Sequence, residues 1–313
     1  MPSRPEIAVV IPVRDGAATI ARCIRCVARQ DFGGAWEAVL VDDGSTDDTV
    51  AMATGAATEA GLDLRVERLA AEGPAAARNR GARVATAGAL AFLDADCFPT
   101  PGWLAAGART LQRAPFVQGR VTPDPDFVRG PFDRTLHVDG LSPLFESANL
   151  FVDRGLFERI GGFESWLDPE VGKAVAEDVW LGWRVRRAGE ATAFAPEAVV
   201  HHAVFREGAL AHVLDRRRLA HFPAIAARIP EIRAELLFAR WFLSRRTAAF
   251  DLALLALLLR RRALALPYLW LLLAEALPWG RLAPQVVPVR VAADAVGFSA
   301  LLRGSLRRRS AVL

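Results

Sequence analysis

Short apolar runs alternate with longer segments of mixed polarity through the first two thirds of the chain. Four of these runs predict buried strands, over residues 7–12, 36–41, 62–68 and 89–93. Helices are predicted in two of the intervening segments, 17–29 and 74–87. Strands that alternate with helices in this way indicate βαβ units. The pattern therefore predicts an α/β fold with a mostly parallel, doubly wound sheet and helices on both faces.

Two acidic clusters come directly after predicted strands. Asp42 and Asp43 begin the sequence DDGS, and Asp94 and Asp96 are the first and last residues of the sequence DAD. Ligands of doubly wound sheets bind outside the carboxyl ends of the strands, where both clusters are expected to lie. Two adjacent carboxylates can converge on Mg²⁺ or Mn²⁺, whereas the first cluster is suited to accept hydrogen bonds from a nucleobase or a ribose. Either cluster is also compatible with an acidic turn that caps a helix.

Charged residues outside these clusters are candidates for the same crevice. Arg78, in a predicted helix, carries a planar guanidinium that suits a nucleobase or a diphosphate. Glu177 and Asp178 open a helix predicted over 177–188, and one of these carboxylates can serve as a general base. The alternatives are a solvated helix face for Arg78 and a favourable interaction with the helix dipole for the two acids.

A histidine pair follows in a strand predicted over residues 198–203. Successive side chains of a strand point to opposite faces, so at most one of His201 and His202 can reach a metal in the crevice. Residues 116–162 are rich in Pro and Gly, which is typical of loops that shape a pocket.

The chain beyond residue 206 is helical in pattern, rich in Arg, and then strongly apolar. Residues 248–259 and 263–279 are each shorter than the ~20 residues that span a bilayer, and three arginines separate them. A second amphipathic segment, 291–306, also ends in three arginines. We expect a helical hairpin that lies in or dips into the cytoplasmic leaflet. Two short spanning helices, or a packing element of an oligomer, are the alternatives.

Charge is distributed unevenly between these two parts. Residues 1–205 contain 21 Lys and Arg against 28 Asp and Glu, a net charge of −7, whereas residues 206–313 contain 18 against 7, a net charge of +11. The basic part is also the apolar part, which suits an anionic membrane surface and not a nucleic acid.

Cysteine usage points to a reducing compartment. Three cysteines do not make a disulfide framework in a chain of 313 residues. Cys23 and Cys26 form a C-x-x-C inside a predicted helix, where two packed thiols are favoured over a redox motif. No cleavable signal is expected, because a buried strand follows the first six residues at once.

The order of eight short motifs resembles the bacterial family 2 glycosyltransferases of the GT-A fold, over roughly residues 7–205. These motifs are IPVRDG, VDDGSTDDT, ARNRGA, FLDADC, SANLFV, IGGFES, AEDVWLGWR and VVHHA. The resemblance implies that Pro12, Val13 and Asp15 line the pocket for the base and ribose. It implies that Asp42 or Asp43 holds the nucleobase.

The same resemblance assigns the reacting groups. It implies that Asp94 contacts ribose or metal, that Asp96 ligates the metal, and that Asp178 is the base, with Glu177 beside it. His202, in preference to His201, would complete the metal shell. The loop of Gly161, Gly162 and Phe163 would lie against the sugar and the acceptor.

Two departures from the family pattern bear on these assignments. Asp15 stands where such proteins often carry Asn, which weakens its assignment to the ribose pocket. No Q-x-x-R-W motif follows Glu177 and Asp178, which favours transfer of a single sugar over processive synthesis.

The resemblance implies an inverting, metal-dependent sugar transfer. The expected cofactor is Mn²⁺ or Mg²⁺, and the expected donor is a UDP-, GDP- or dTDP-linked sugar. The expected acceptor is a hydroxyl on a lipid-linked or cell-envelope glycan at the cytoplasmic face of the membrane. A catalytic domain over residues 1–205, a basic connector over 206–247 and a tail over 248–313 are expected.

Two other functions are weighed against this one. A sugar nucleotidyltransferase should carry a Gly-rich phosphate loop after the first strand, and residues 12–16 (PVRDG) match poorly. A non-catalytic scaffold that binds nucleotide sugars does not need Asp96 and Asp178 together.

Overall fold

The chain forms two compact units. The computed structural model describes residues 5–167 and 175–313. The first unit holds residues 5–128, 135–167 and 175–204, and the second holds residues 129–134 and 205–313. The first is an α/β unit and the second is helical. The separate roles expected for residues 1–205, 206–247 and 248–313 remain predictions.

The first unit is built on a mixed sheet of eight strands in the part of the chain that the structure describes. In chain order the strands are β1 (Ile7–Val13), β2 (Trp36–Asp42), β3 (Leu64–Arg68), β4 (Ala89–Leu93), β5 (Cys97–Pro99), β6 (Phe116–Pro123), β7 (Asn149–Asp153) and β8 (Thr192–His202). Their order across the sheet is β3-β2-β1-β4-β7-β6-β8-β5. β7 runs antiparallel to β4 and β6, and β5 runs antiparallel to β8, while the other pairings are parallel.

The predicted α/β fold with a mostly parallel sheet is confirmed. All four strands predicted at the start of the chain are present, with ends that move by one or two residues. The strand predicted over 198–203 is the end of the longer strand β8, which begins at Thr192. Strands β5, β6 and β7 were not predicted, because they lie among the Pro- and Gly-rich loops or span only three residues.

Six helices connect the strands of the first unit within the described residues. They are α1 (Ile20–Ala28), α2 (Thr49–Ala60), α3 (Pro74–Val84), α4 (Trp103–Leu111), α5 (Arg154–Arg159) and α6 (Glu177–Arg187). The chain passes from β1 to β3 in one direction and returns to β4 in the other. Right-handed crossovers therefore place α3 on the face of the sheet opposite α1 and α2.

Local sequence explains where α3 begins and how closely it approaches the sheet. Pro74 occupies the first turn, where its missing N–H costs no helical hydrogen bond. A Cβ atom at Gly81 would lie 2.3 Å from Cγ1 of Val10 in β1. Glycine therefore lets α3 pack directly on β1, next to the carboxyl end of that strand.

The second unit consists of helices joined by short 3-10 segments. The α-helices are α7 (Ala209–Asp215), α8 (Phe222–Arg228), α9 (Ile232–Glu235), α10 (Arg245–Leu258), α11 (Leu266–Ala276) and α12 (Ala283–Arg308). The 3-10 segments are Arg216–His221, Arg262–Ala265 and Leu277–Leu282. The predicted hairpin corresponds to α10 and α11, and the predicted amphipathic segment lies within α12.

The stretch Arg262–Arg308 is, by length and composition, apolar enough to cross a membrane. Its most apolar window has a mean hydropathy of 1.4 and is 28% buried. Gly280, with φ 51° and ψ −116°, interrupts the helical geometry between α11 and α12. Phe250, Tyr268 and Leu272 form a small core that packs the helices of the second unit together.

Candidate active site

The loops after β1 and β2 are tied together by side chains. Asp15 adopts a left-handed conformation, with φ 50°. Its Oδ1 atom accepts hydrogen bonds from the backbone N–H of Thr46 at 2.8 Å and from Oγ1 of Thr46 at 3.1 Å. Its own N–H donates to Oγ of Ser45 at 2.9 Å. Asp15 therefore joins the two loops in the way that an Asn at this position also can, through one accepting oxygen.

Asp42 and Asp43 lie at the end of β2 and are buried. One oxygen of Asp42 accepts from the N–H of Ser45 at 3.0 Å. The two carboxylate oxygens of Asp43 accept from the N–H groups of Glu72 at 2.7 Å and Gly73 at 2.9 Å. Asp43 therefore shapes the loop that enters α3, and each of its oxygens keeps a lone pair for a further donor.

Strand register places Pro12 and Val13 beside these carboxylates. Val13 pairs with Asp42, and its carbonyl oxygen accepts from the N–H of Asp43 at 2.8 Å. The structure thus brings the predicted base and ribose residues together at one edge of the sheet, namely Pro12, Val13, Asp15, Asp42 and Asp43.

Asp96 and His202 meet because β5 and β8 pair. The register places Cys97 opposite His202, and the N–H of Ala203 donates to the carbonyl oxygen of Asp96 at 2.8 Å. The Nε2 atom of His202 lies 3.5 Å from Oδ2 of Asp96. The Nδ1 atom of His202 lies 2.7 Å from the carbonyl oxygen of Ala203, which can only accept a hydrogen bond. Nδ1 therefore carries a proton, and Nε2 is the ring nitrogen that faces Asp96.

The neighbours of this pair contribute less to a hard-cation site. Ligand atoms of Asp96, Cys97 and His202 all lie within 4.8 Å of one another. Cys97 is fully buried, and burial, followed by the charges of Asp96 and Asp94, raises the pKa of its thiol well above the usual value. His201 has its Nδ1 atom 2.8 Å from Oγ1 of Thr122. The observed geometry supports His202, and not His201, as the partner of Asp96.

Arg78 bridges two carboxylates from distant parts of the chain. Its Nη2 atom donates to Oδ1 of Asp94 at 2.8 Å, and its Nη1 atom donates to Oε1 of Glu177 at 3.1 Å. Burial opposes the charge of this side chain, but Asp94, Glu177 and then Asp178 outweigh it and raise the pKa of Arg78. The buried guanidinium thus links the end of β4 to the start of α6.

Two atoms of this network are left over for other contacts. The Nε atom of Arg78 and the Oε2 atom of Glu177 are buried, and neither has a hydrogen-bond partner among the described residues. Buried polar atoms without partners are costly, and they concentrate where a ligand completes the network.

Asp178 is a half-buried carboxyl group at the start of α6. Its Oδ1 atom accepts from the N–H of Val179 at 2.8 Å, and its Oδ2 atom accepts from the N–H of Ser147 at 3.3 Å. Burial, followed by the charge of Glu177, raises the pKa of Asp178 to about 7, and Arg78 offsets part of this rise. A carboxyl group with this pKa exchanges a proton readily near neutral pH.

The loop of Gly161, Gly162 and Phe163 is held rigidly beside Arg78. Both glycines are left-handed, with φ 80° and 64°. The side-chain oxygen of Asn79 accepts from the N–H of Phe163 at 2.9 Å, and its amide donates to the carbonyl oxygen of Phe163 at 2.8 Å. The guanidinium of Arg184 donates to the carbonyl oxygen of Gly162. The Phe163 ring lies 5.4 Å from the guanidinium carbon of Arg78.

Sequence reasoning missed three supporting residues of this site. Asn79 and Arg184 fix the Gly162 loop, and Ser147 offers its N–H to Asp178. Asn79 lies in the motif ARNRGA, where only the arginines attracted attention. Backbone contacts such as that of Ser147 leave no signal in residue type, so a single sequence could not reveal them.

A family model for "Glycosyl transferase family 2" matches residues 8–163. Glycosyltransferase AglE of Haloferax volcanii is 29% identical over 210 residues, which cover 63% of this chain and 67% of that protein. A PGL/p-HBAD biosynthesis glycosyltransferase of Mycobacterium tuberculosis is 40% identical over 92 residues, which cover 29% of this chain and 36% of that protein. The chain thus spans only about a third of its mycobacterial relative's length.

Solved structures with a similar fold include two enzymes bound to nucleotide sugars. Mannosyltransferase PcManGT from Pyrobaculum calidifontis, in complex with GDP-Man and Mn²⁺, has a TM-score of 0.59 and 23% identity, covering 97% of this chain and 88% of that one. S. aureus TarS 1-349, in complex with UDP-GlcNAc, has a TM-score of 0.53 and 17% identity, covering 97% and 92%. At these identities the likeness shows the GT-A fold alone. The match to the family model and the relatives named as glycosyltransferases show that the chain is a glycosyltransferase and belongs to glycosyl transferase family 2.

Proposed function

We propose that this enzyme transfers a single sugar from a nucleotide-sugar donor to a hydroxyl acceptor with inversion of the anomeric centre. The observation that carries the proposal is the network of Asp94, Arg78, Glu177 and Asp178. It joins the carboxyl end of β4, where a donor diphosphate is expected, to a carboxyl group with a pKa of about 7. One connected set of side chains can therefore position both the leaving diphosphate and the base.

The donor site is proposed at the carboxyl ends of β1 and β2. Asp42 and Asp43 lie deep enough to accept hydrogen bonds from a nucleobase, and Asp15 lies at the rim near the ribose. UDP-, GDP- and dTDP-linked sugars all remain candidates, since the similar structures hold GDP-Man in one case and UDP-GlcNAc in the other. Gly162 and the backbone around it would face the sugar.

Asp96 and His202 are the residues proposed to hold a divalent cation. The donor set fits, because a carboxylate oxygen and the Nε2 atom of an imidazole lie 3.5 Å apart and the opposite ring nitrogen is already fixed by Ala203. The carboxylates suit either Mn²⁺ or Mg²⁺, and the imidazole favours Mn²⁺ of the two. When bound, such an ion offsets the negative charge that grows on the leaving diphosphate.

The protein side chains then have distinct tasks in one displacement. Asp178 accepts the proton of the acceptor hydroxyl, whose oxygen attacks the anomeric carbon from the face opposite the diphosphate. Arg78 holds Asp94 and Glu177 in place, and its charge keeps part of Asp178 ionised near neutral pH. A single displacement with one base and no covalent intermediate inverts the anomeric centre.

The second unit is proposed to hold the enzyme at the cytoplasmic face of a membrane. Leu257, Leu258 and Trp270 are 76%, 80% and 73% exposed, which is unusual for large apolar side chains. Three consecutive arginines, Arg260, Arg261 and Arg262, lie between α10, which carries the two leucines, and α11, which carries Trp270. An apolar face with a basic border suits an interfacial position on an anionic leaflet, so a lipid-linked or cell-envelope acceptor is proposed.

The test is a transfer assay with a panel of nucleotide sugars and Mn²⁺, followed by determination of the product's anomeric configuration by NMR. We expect inversion, and a loss of at least about 10²-fold in kcat for Asp178→Asn, in line with the usual contribution of a general base. Asp63→Asn, an exposed substitution in the same unit, is the control and should leave kcat unchanged. Retention of configuration, or full activity of Asp178→Asn, would overturn the mechanism. Pyrophosphate release from a nucleoside triphosphate would indicate a nucleotidyltransferase instead.

A further inference from the structure

The second unit contains a cavity of about 330 Å³ lined mainly by α10, α12 and the segment Arg216–His221. Its α12 wall is one stripe of that helix, which runs from Arg290 to Leu301 at helical spacing. Two small residues, Ala293 and Gly297, lie on this stripe. A Cβ atom at Gly297 would come within 3.2 Å of Cδ1 of Leu219, so the glycine keeps this part of the cavity open.

One of the three arginines that line the cavity has its charge satisfied. Nε and Nη2 of Arg246 donate to the Asp294 carboxylate at 2.7 to 3.0 Å, and Nη1 of Arg246 contacts Glu275. The hydroxyl of Tyr268 also donates to Asp294, at 2.7 Å. These contacts engage both carboxylates directly with Arg246, and they reach Arg290 only through longer-range attraction, which burial outweighs.

Arg216 and Arg290 line the same cavity without a carboxylate partner. Arg290 contacts Nε2 of His212 at 3.3 Å and donates to the carbonyl oxygen of Pro131 at 3.1 Å, and its Nε atom is buried with no partner among the described residues. The side chain of Arg216 makes no hydrogen bond or ion pair with any residue in the described ranges, and only its backbone N–H is paired, with the carbonyl oxygens of Leu214 and Val213. Burial, followed by the charges of Arg216 and Arg290, lowers the pKa of His212 to about 4, and Glu207 and Asp215 offset part of this change.

Burying cationic groups without counter-ions is unfavourable, and a bound anion offsets that cost. Arginine donates in a planar fork that matches the oxygens of phosphate. The remaining wall is apolar and includes Leu243, Phe250 and Phe298. A volume near the lower end of the roughly 300–1,000 Å³ of small-molecule sites accommodates a phosphate group with a short length of hydrocarbon.

We propose that this cavity binds a phosphate group carried on an apolar chain, with Arg216 and Arg290 as its ligands. A lipid headgroup and a free phosphate share this chemistry, and the apolar wall favours the lipid. Asp251 is the opposing feature, because it lines the cavity and its Oδ2 atom is buried with no partner among the described residues. Its carboxylate repels an anion, so its removal is expected to strengthen anion binding.

Binding to the full-length chain is measured by isothermal titration calorimetry with hexyl phosphate and, separately, with inorganic phosphate. We expect hexyl phosphate to bind more tightly than inorganic phosphate. Arg216→Gln and Arg290→Gln should each weaken binding by about tenfold or more, since hydrogen bonds to charged groups are among the stronger ones. Arg217→Gln removes the same charge from an exposed position of the same 3-10 segment and should bind like the parent protein.

Asp251→Asn should tighten binding, because it removes a negative charge from the cavity wall. A variant that is merely damaged would not bind more tightly, so opposite signs for Asp251 and Arg216 cannot arise from misfolding. The proposal would be overturned if neither hexyl phosphate nor inorganic phosphate bound. It would also be overturned if Arg216→Gln and Arg217→Gln lost the same amount of binding affinity. Equal affinity for the two phosphates would assign the site to a free phosphate and exclude the apolar chain.

This inference does not depend on the proposed transfer reaction. The calorimetric measurement uses neither donor nor acceptor, and the cavity lies wholly within the second unit. If neither phosphate binds, the proposed transfer reaction is unaffected. If the transfer assay fails, the phosphate site is still tested by calorimetry.

Discussion

Nε2 of His202 lies 3.5 Å from Oδ2 of Asp96, although more than a hundred residues separate them in the chain. The short antiparallel strand β5 produces this contact, because it carries the chain from Asp96 directly along the end of β8. The backbone carbonyl of Ala203 then fixes the ring of His202. The proposed two-residue cation site thus depends on the pairing of Cys97–Pro99 with Val200–His202.

The first prediction concerns this pair. His202→Ala should weaken the apparent affinity for Mn²⁺ by at least about tenfold, the lower end of the cost of disturbing a metal ligand's surroundings. Free Mn²⁺ can be measured by electron paramagnetic resonance, and activity can be titrated with the same ion. His201→Ala is the matched control, since its ring contacts Thr122 and not Asp96. Equal effects of the two substitutions would remove His202 from the site.

The second prediction concerns pH. Asp178 must be ionised to accept a proton, and its pKa is raised to about 7 by burial and then by Glu177. We expect kcat/KM to fall by about tenfold for each pH unit below about 7 and to become level above it. Steady-state rates between pH 5 and 9, with Mn²⁺ held saturating, provide the measurement.

Saturating Mn²⁺ matters because protons compete with a cation for its ligands. If the pH at which kcat/KM begins to fall changes with Mn²⁺ concentration, the fall reports the cation site. If that pH does not change, the fall reports the base. If kcat/KM stayed level down to pH 5 at saturating Mn²⁺, the assignment of Asp178 as the base would be untenable.

Much of this fold was predictable from the sequence, for a physical reason. The parallel strands β1 and β4 are almost continuous apolar runs because both of their faces are covered, and such runs are short and distinctive. The acidic clusters after β2 and β4 were predicted to share one edge, and Asp42 and Asp94 do follow strands that both flank β1.

What the sequence could not supply is the pairing of distant side chains. The antiparallel strand β7 carries no apolar run longer than three residues, so the sequence did not predict it. The bridge that Arg78 makes between Asp94 and Glu177 likewise joins residues far apart in the chain. Arg78 was a candidate for the base or the diphosphate. Its observed partners are carboxylates, and that choice is decided by burial, which residue type alone does not reveal.

The third prediction tests this bridge. Arg78→Met should lower the free energy of unfolding by about 3–5 kcal/mol, because it leaves the buried carboxylate of Glu177 without a partner. Adding Glu177→Gln should restore part of that stability, but not activity, since Asp94 and Asp178 lose their positioning. Urea unfolding monitored by circular dichroism, together with kcat, separates the two effects.

A matched control lies on the same helix. Arg80→Met breaks a partly exposed ion pair with Glu67 at 2.7 Å and should cost less than about 1 kcal/mol. Similar losses for Arg78→Met and Arg80→Met would show that the buried network is not a stabilising element.

The fourth prediction concerns the Gly162 loop. Gly162→Ala places a Cβ atom 2.6 Å from Oδ1 of Asn79, the atom that accepts the hydrogen bond from Phe163. We expect the substitution to lower Tm and to raise KM for the donor, because the loop must give up its clamp, the pair of hydrogen bonds between Asn79 and Phe163. Gly189→Ala is the control, since Gly189 is also left-handed, with φ 76°, but a Cβ there meets no atom within 4 Å.

Both alanines carry the cost of a left-handed conformation, roughly 1–2 kcal/mol per residue. The difference between the two variants therefore reports the clash with Asn79, together with the tighter contact at 3.1 Å with the ring of Phe157. If Gly189→Ala and Gly162→Ala had the same Tm and the same KM, the clamp would have no bearing on donor binding.

The fifth prediction concerns the apolar face of the second unit. Replacing Leu257, Leu258 and Trp270 together with Ser should weaken sedimentation with vesicles that contain phosphatidylglycerol by about tenfold or more, since burial of one large apolar side chain contributes about 1.5–3 kcal/mol. Leu210→Ser is the control, because Leu210 is 71% exposed in α7 and lies outside this face.

Salt and lipid charge separate the two forces that hold the protein to the vesicle. Replacement of Arg260, Arg261 and Arg262 with Gln should weaken binding only to anionic vesicles and only at low salt, because exposed charges are screened beyond about 8 Å at physiological ionic strength. The apolar triple variant should bind weakly at every salt concentration. Binding of the apolar variant at the parent level would mean that the exposed leucines contact another protein surface, and not the acyl chains.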